Sequence, residues 1–159
     1  DVIVMGKGMG GGMPVGAFTA SAEMMDLLSH DPKLGHITTF GGHPVIAAAG
    51  VATITEITNN NFLVEDSIRK GELLRKHLQH PVIKEIRGKG LMLAAIVESS
   101  DLAAKIILTC LKKGLILFFL LFETKAIRIT PPLTISDEEI IEGCKIIIEV
   151  VEEITSLER

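Results

Sequence analysis

The sequence predicts an α/β chain: short apolar strands and a long helix of small residues in residues 1–60, then an α+β module with a small antiparallel sheet in residues 61–159. Three observations carry this reading. Two apolar runs, "VIVM" and "VGAFTA", flank a loop made mostly of glycine. The runs "VIKEIRG" and "LMLAAIVE" enclose the turn "RGKG" as the two arms of a hairpin would. Stretches with helical spacing surround that hairpin and end in the amphipathic "ISDEEIIEGCKIIIEVVEEI". With 159 residues, 47% apolar content and six phenylalanines as the only aromatics, the chain can bury a core of Ile, Leu, Val, Ala and Met.

In chain order, "VIVM" at 2–5 reads as a short buried strand, 6–14 as loop, and 15–20 as a second strand. Ser21 is placed to cap a short helix through Leu28 by accepting from a first-turn N–H. A loop rich in His, Gly and Thr follows, and Pro44 then opens a long helix, where its missing N–H costs no hydrogen bond. After "NNN" a second helix runs to about Gln79, with Ile68, Leu74 and Leu78 at near-helical spacing. Beyond the hairpin, 101–113 is expected to be helical, "LILFFLLF" at 115–122 a buried strand, and "AIRIT" another. Ser136 and Glu139 have the spacing of a capping box at the start of the last helix.

The net charge of −4 and the absence of clustered Lys and Arg argue against a nucleic-acid surface. "LILFFLLF" is far shorter than the roughly 20 residues that span a bilayer, so no membrane partner is expected. Cys110 and Cys144 lack CxxC spacing and read as core thiols, which fits a cytoplasmic protein. His77 and His80 lie near a helix end without an HExxH pattern, so no metal site is expected. The first residue is not methionine and the chain opens almost within a strand, so the sequence is expected to continue upstream.

The glycine loop contains G-x-G-x-x-G as Gly6, Gly8 and Gly11, but the dinucleotide reading fails on context. That fingerprint must open a helix whose N-terminus meets a pyrophosphate, whereas Pro14 and a strand follow here. Asp26 lies about twenty residues on, where a ribose-binding acid would stand, yet in a predicted helix. A Walker loop fails because Gly8 follows Lys7 where Ser or Thr is required. Lys7 has two readings: a solvated lysine among glycines, as Lys89 is in "RGKG", or an amine held at the end of an apolar strand, where ligand sites concentrate. Thr38 and Thr39 are ordinary loop residues or paired hydroxyls before a Gly pair. Arg128, flanked by Ile127 and Ile129, points to the opposite face of its strand, either to a strand-edge salt bridge or to a ligand carboxylate.

Four motifs in order, "VIVMGKGMGGGMPVGAF", "HITTFGGHPVIAAA", "IRGKGLML" and "IRITPPLTIS", make nearly the whole chain resemble the C-terminal part of a class III aminotransferase, the pyridoxal-phosphate family of the ornithine, acetylornithine and 4-aminobutyrate enzymes. The resemblance implies the end of a fold-type-I cofactor domain over 1–60 and a small α+β domain over 61–159. It implies that Lys7 forms the Schiff base with pyridoxal 5'-phosphate, and that Thr39, with Thr38 beside it, meets the cofactor phosphate of the neighbouring subunit in a homodimer with shared active sites. It implies that Arg128 meets a substrate carboxylate, or pairs with a glutamate when the reacting amine is distal. The family commonly has Asn where His43 stands, so His43 receives no role. An acidic residue for the pyridinium nitrogen, an aromatic residue for the ring and the main phosphate loop are expected before Asp1. The implied reaction moves an amino group between an amino acid or ω-amine and a 2-oxo acid; the alternative is a catalytically incompetent piece that keeps only the fold.

Overall fold

The computed structural model describes residues 1–33, 35–60 and 62–157, with the side chain of Leu157 left aside. The chain divides into two units, Asp1–Asn61 and Phe62–Arg159.

In the first unit β1 (Ile3–Gly6) and β2 (Gly16–Thr19) form an antiparallel ribbon, with Ile3 opposite Thr19 and Gly6 opposite Gly16. "VIVM" is therefore a strand, but not the buried one expected: Val2, Ile3 and Val4 are each more than half exposed. A two-stranded ribbon has no layer against its faces, so apolar alternation there has nothing to bury against. α1 (Ala22–Asp26) is capped as predicted, the Ser21 hydroxyl accepting from the Met24 N–H at 3.3 Å. α2 (Pro44–Asn59) starts with Pro44 in its first turn. Its small residues seat the glycine loop. Gly50 is buried facing the Met9 carbonyl, and Gly11 lies so close to α2 that a β-carbon there would overlap the Thr53 hydroxyl.

The second unit is a four-stranded antiparallel sheet in the order β3 (Glu85–Lys89), β4 (Met92–Ile96), β6 (Ala126–Ile129), β5 (Phe118–Phe119). It is accompanied by α3 (Phe62–His77), α4 (Ser100–Lys112) and α5 (Asp137–Leu157). Period-two alternation turns Leu93, Ala95, Ile127 and Ile129 to one face, where they are buried in a core with Leu78, Ile106, Ile140 and Val151. Each such Leu or Ile contributes about 1.5–3 kcal/mol on leaving water. Cys110 and Cys144 are buried, unbonded thiols in the same core, and loss of solvent raises each to a pKa of about 11.

The ends of the helices are fixed by their own side chains. Ser99 caps α4 by accepting from the Leu102 N–H at 3.2 Å. Before α5 the predicted box is closed both ways, Glu139 N–H to the Ser136 hydroxyl at 3.1 Å and Ser136 N–H to the Glu139 carboxylate at 2.8 Å. α3 ends at His77, slightly short of the expected Gln79. Gly71 of α3 meets the hairpin turn directly, since a β-carbon there would overlap the Gly90 carbonyl.

"LILFFLLF" departs most from its expected form. Only Phe118 and Phe119 pair, with Arg128 and Ile127, while Leu121 and Phe122 are almost fully exposed. The chain must reverse before β6 begins at Ala126, so the end of the apolar run is consumed by the turn. Among the described residues no helix is long and apolar enough to cross a membrane.

Candidate functional site

Lys7 follows Gly6 at the end of β1, in a single 3₁₀ turn, Lys7–Gly10. It is the one described residue other than glycine with a positive φ, +52°. A side chain in that left-handed region costs of order 1–3 kcal/mol, and such strain clusters at ligand sites. Two neighbours help to fix it. Gly6 packs so near the Val15 carbonyl that a β-carbon would stand 3.3 Å from its oxygen, and Gly11, itself at φ +56°, sits against α2. The Lys7 side chain is exposed and makes no ion pair or hydrogen bond among the described residues. Lys89 differs, being the last residue of a strand whose following Gly90 takes the positive φ instead.

Thr38 and Thr39 lie in the exposed loop before α2. The Gly41 N–H donates to the Thr38 carbonyl at 3.1 Å, and a β-carbon on Gly41 would stand 3.0 Å from the Thr38 hydroxyl oxygen. Thr38 lines a cleft of about 360 Å³ with Val15, Gly16, Gly42, His43 and Ile46. That cleft opens on the first turn of α2, whose leading N–H groups have no partner within the helix. Neither Lys7 nor Thr39 is among its lining residues, although Pro14 to Gly16, at the far end of the glycine loop, are. His43 is the N-cap of α2 without a side-chain cap bond, and its ring meets Phe40 edge-on at 6.2 Å.

Arg128 belongs to the second unit, on β6 between two buried isoleucines. Its guanidinium carbon stands 4.7 Å from the centre of the Phe118 ring, the residue opposite it on β5. That stacking is a cation–π contact that also orients the fork. Arg128 has no ion pair among the described residues, and its Nε is buried without an acceptor. The salt-bridge alternative is therefore not what the structure contains. Arg128 is among the residues lining a cleft of about 430 Å³ whose walls are mostly apolar and include the core-face residues Ile129, Ile140 and Ile147.

The segment just after Arg128 is tied down by charge. Lys70, buried on α3, places its ammonium 2.8 Å from the Asp66 carboxylate and donates to the Leu133 carbonyl at 3.2 Å. Arg69 forks onto both Asp137 oxygens at 2.7 and 2.8 Å and donates to Asp66 at 2.6 Å. Hydrogen bonds from Lys70 and then Arg69 hold the Asp66 carboxyl below its usual range, and Arg69 does the same for Asp137. α3 thus holds the segment between β6 and α5 at Leu133 and at Asp137. Sequence reasoning gave neither Phe118 nor Lys70 a role. Phe118 sits inside an unbroken apolar run, and Lys70 in a helix with several other charged residues.

Among the described residues no three His, Cys, Asp or Glu side chains are grouped as a metal ion would require.

Comparison with known proteins covers both units. Acetylornithine aminotransferase of Caldanaerobacter subterraneus subsp. tengcongensis is 39% identical over 159 residues, 97% of this chain and 38% of its own length. A leucine/methionine racemase of Thermococcus litoralis is 35% identical over 156 residues, 90% of this chain and 34% of its own. The crystal structure of ornithine aminotransferase from Toxoplasma gondii ME49 is similar at a TM-score of 0.82 and 31% identity, covering all of this chain and 38% of that one. The chain therefore spans between a third and two fifths of the length of these relatives. The class-III aminotransferase model matches residues 1–151, which is nearly the whole sequence, and the chain belongs to that family.

Proposed function

We propose that this chain is the C-terminal part of a pyridoxal-phosphate aminotransferase that moves an amino group between an amino acid or amine and a 2-oxo acid. One observation carries the reading: Lys7, in the "GKG" motif, is the one described side-chain-bearing residue held at positive φ. A solvated turn lysine has no need of that strain, because a neighbouring glycine could take the conformation instead. In this reading residues 1–60 end the cofactor domain and 61–159 form the small domain.

The residues present fit the two ends of the cofactor. The exposed Lys7 amine suits an aldehyde, and the exposed hydroxyls of Thr38 and Thr39, in the loop before the first turn of α2, suit a phosphate. When bound, pyridoxal phosphate supplies the aldehyde and a ring that accepts electrons. Lys7 would be the residue that holds it, and its Nζ would take and return the proton at the substrate Cα. Thr39, with Thr38 beside it, serves the phosphate site of a second copy in a homodimer. Arg128 binds the substrate carboxylate through its fork, steadied by Phe118.

The racemase relative supports a second reading, in which the same lysine returns the proton to either face of Cα without amino transfer. One preparation tests both. The protein is incubated with pyridoxal phosphate, reduced with borohydride and mapped by peptide mass, and is assayed separately for amino transfer and for inversion of an L-amino acid. The label is expected on Lys7 and absent from Lys7→Ala. A label reproducibly on Lys89, with Lys7 free, overturns the assignment, and inversion without transfer selects the second reading.

A further inference from the structure

We propose that the free edge of β5 is a docking edge for a second copy of this chain, the two β5 strands pairing antiparallel so that their four-stranded sheets join edge to edge. The inference goes beyond the aminotransferase reading and does not depend on it. The sheet has two edge strands, β3 and β5, and they are built differently. An edge strand presents N–H and C=O groups without ladder partners, and charge or proline ordinarily guards it against pairing with another chain. β3 is guarded: Glu85, Arg87 and Lys89 stand along it, and Arg75 of α3 donates to its Ile86 and Gly88 carbonyls. β5 has no such guard, since the run from Gly114 to Phe122 contains neither a charged residue nor a proline.

Charge decides which edge can accept a copy of itself. Antiparallel pairing about a two-fold axis sets a strand against its own sequence. For β3, pairing centred on Arg87 sets two guanidiniums side by side, and like charges directly opposite are destabilising. For β5 it sets neutral apolar residues against neutral apolar residues. Those residues are also the ones left in water: Ile116 is 72% exposed, and Phe118 and Phe119 are about half exposed. Phe118 stands opposite Arg128 and Phe119 opposite Ile127, so they point to the two faces of the sheet, and a strand added at this edge covers apolar surface on both. Aromatic and β-branched cross-strand pairs stabilise a sheet, and a second copy supplies each such pair twice.

The test uses the 159-residue chain in two measurements, sedimentation equilibrium and amide hydrogen exchange, from about 1 μM to about 100 μM, which brackets moderate and weak self-association. The chain is expected to associate over this range, with protection of residues 115–122 rising with concentration while residues 85–89 stay unchanged. Ile116→Lys, at a mostly exposed residue and therefore harmless to folding, gives β5 the guard it lacks. It is expected to weaken association about tenfold or more, as unpaired or opposed charges at a contact do, and to abolish the rise in protection. Val4→Lys, on the exposed strand of the first unit, is expected to leave the protection of 115–122 as it was. Three results would overturn the proposal: no association up to about 100 μM, undiminished association of Ile116→Lys with native circular dichroism, or association that protects another segment and not 115–122. Protection of residues 36–43 in that last case would support the homodimer contact through Thr39 while overturning the one through β5, so the two readings fail separately.

Discussion

The two units of this chain use similar local chemistry and reach opposite outcomes in burial. Both have an antiparallel strand pair, a Ser-capped helix and apolar residues at the spacing their elements require. In the second unit those residues are buried: Ile106 of α4 is 0% exposed and Ile127 of β6 is 1% exposed. In the first unit Val4 of β1 is 79% exposed, and among its described residues only Gly10 and Gly50 are buried. Correct strand and helix patterning is thus not sufficient for a core. A core needs a second layer, and the sheet of the second unit has helices over one face while the ribbon of the first has none.

Paired substitutions break or sharpen this contrast. The largest effect is expected from Ile106→Ala, which opens a cavity in the core and lowers unfolding free energy by about 2–5 kcal/mol, against about 0.5 kcal/mol or less for Val4→Ala. Denaturant midpoints of the two variants check this, and similar losses would show that the first unit holds a core after all. Next come the caps. Ser136→Ala, which opens the box before α5, is expected to cost about 1 kcal/mol, whereas Ser21→Ala, at the head of a five-residue helix with no buried residue, leaves the same midpoint unmoved. The smallest effect is acid dependence. The folded state holds the Asp66 and Asp137 carboxyls below their unfolded value of about 3.9, so the stability they add is present above that pH and lost as the pH falls through the folded values. Asp137→Asn is therefore expected to lower stability near neutral pH and to converge with the native chain as the pH falls below the folded-state value. Asp26→Asn, which removes a 3.4 Å exposed pairing with His30, leaves the denaturant midpoint at neutral pH unmoved.

Much of the fold was legible because its signals are local. Ser21, Pro44 and the Ser136–Glu139 box act within one helical turn, so their spacing alone predicts the bonds found. The hairpin was legible because Gly90 sits at positive φ in its turn, although Arg87, Gly88 and Lys89 of the expected turn "RGKG" pair with β4 instead. Burial of "VIVM" was not, since it depends on what lies across from a strand and not on the strand. The division of "LILFFLLF" into two paired residues and a turn was not either, because it follows from where β6 begins. In the candidate site the family motif singled out Lys7, but its left-handed backbone was hidden in a loop with glycines to spare for that role. Arg128 could be placed on the face opposite Ile127 and Ile129 by alternation, whereas its Phe118 partner depends on register across two strands.

The seating of the glycine loop on α2 has a mechanical consequence. Gly11 rests against Thr53, Gly50 faces the Met9 carbonyl, and one turn nearer the N-terminus Ile46 and Ala47 of the same helix border the cleft that holds Thr38. A single rigid rod therefore touches the loop carrying the amine and the pocket carrying the hydroxyl, and it works as a ruler between them. The interval is set by helical rise, about 1.5 Å per residue, and not by the slack of either loop. A residue inserted in α2 between Ala47 and Gly50 would change that interval, and rotate one end about 100° against the other, without altering a side chain in either place.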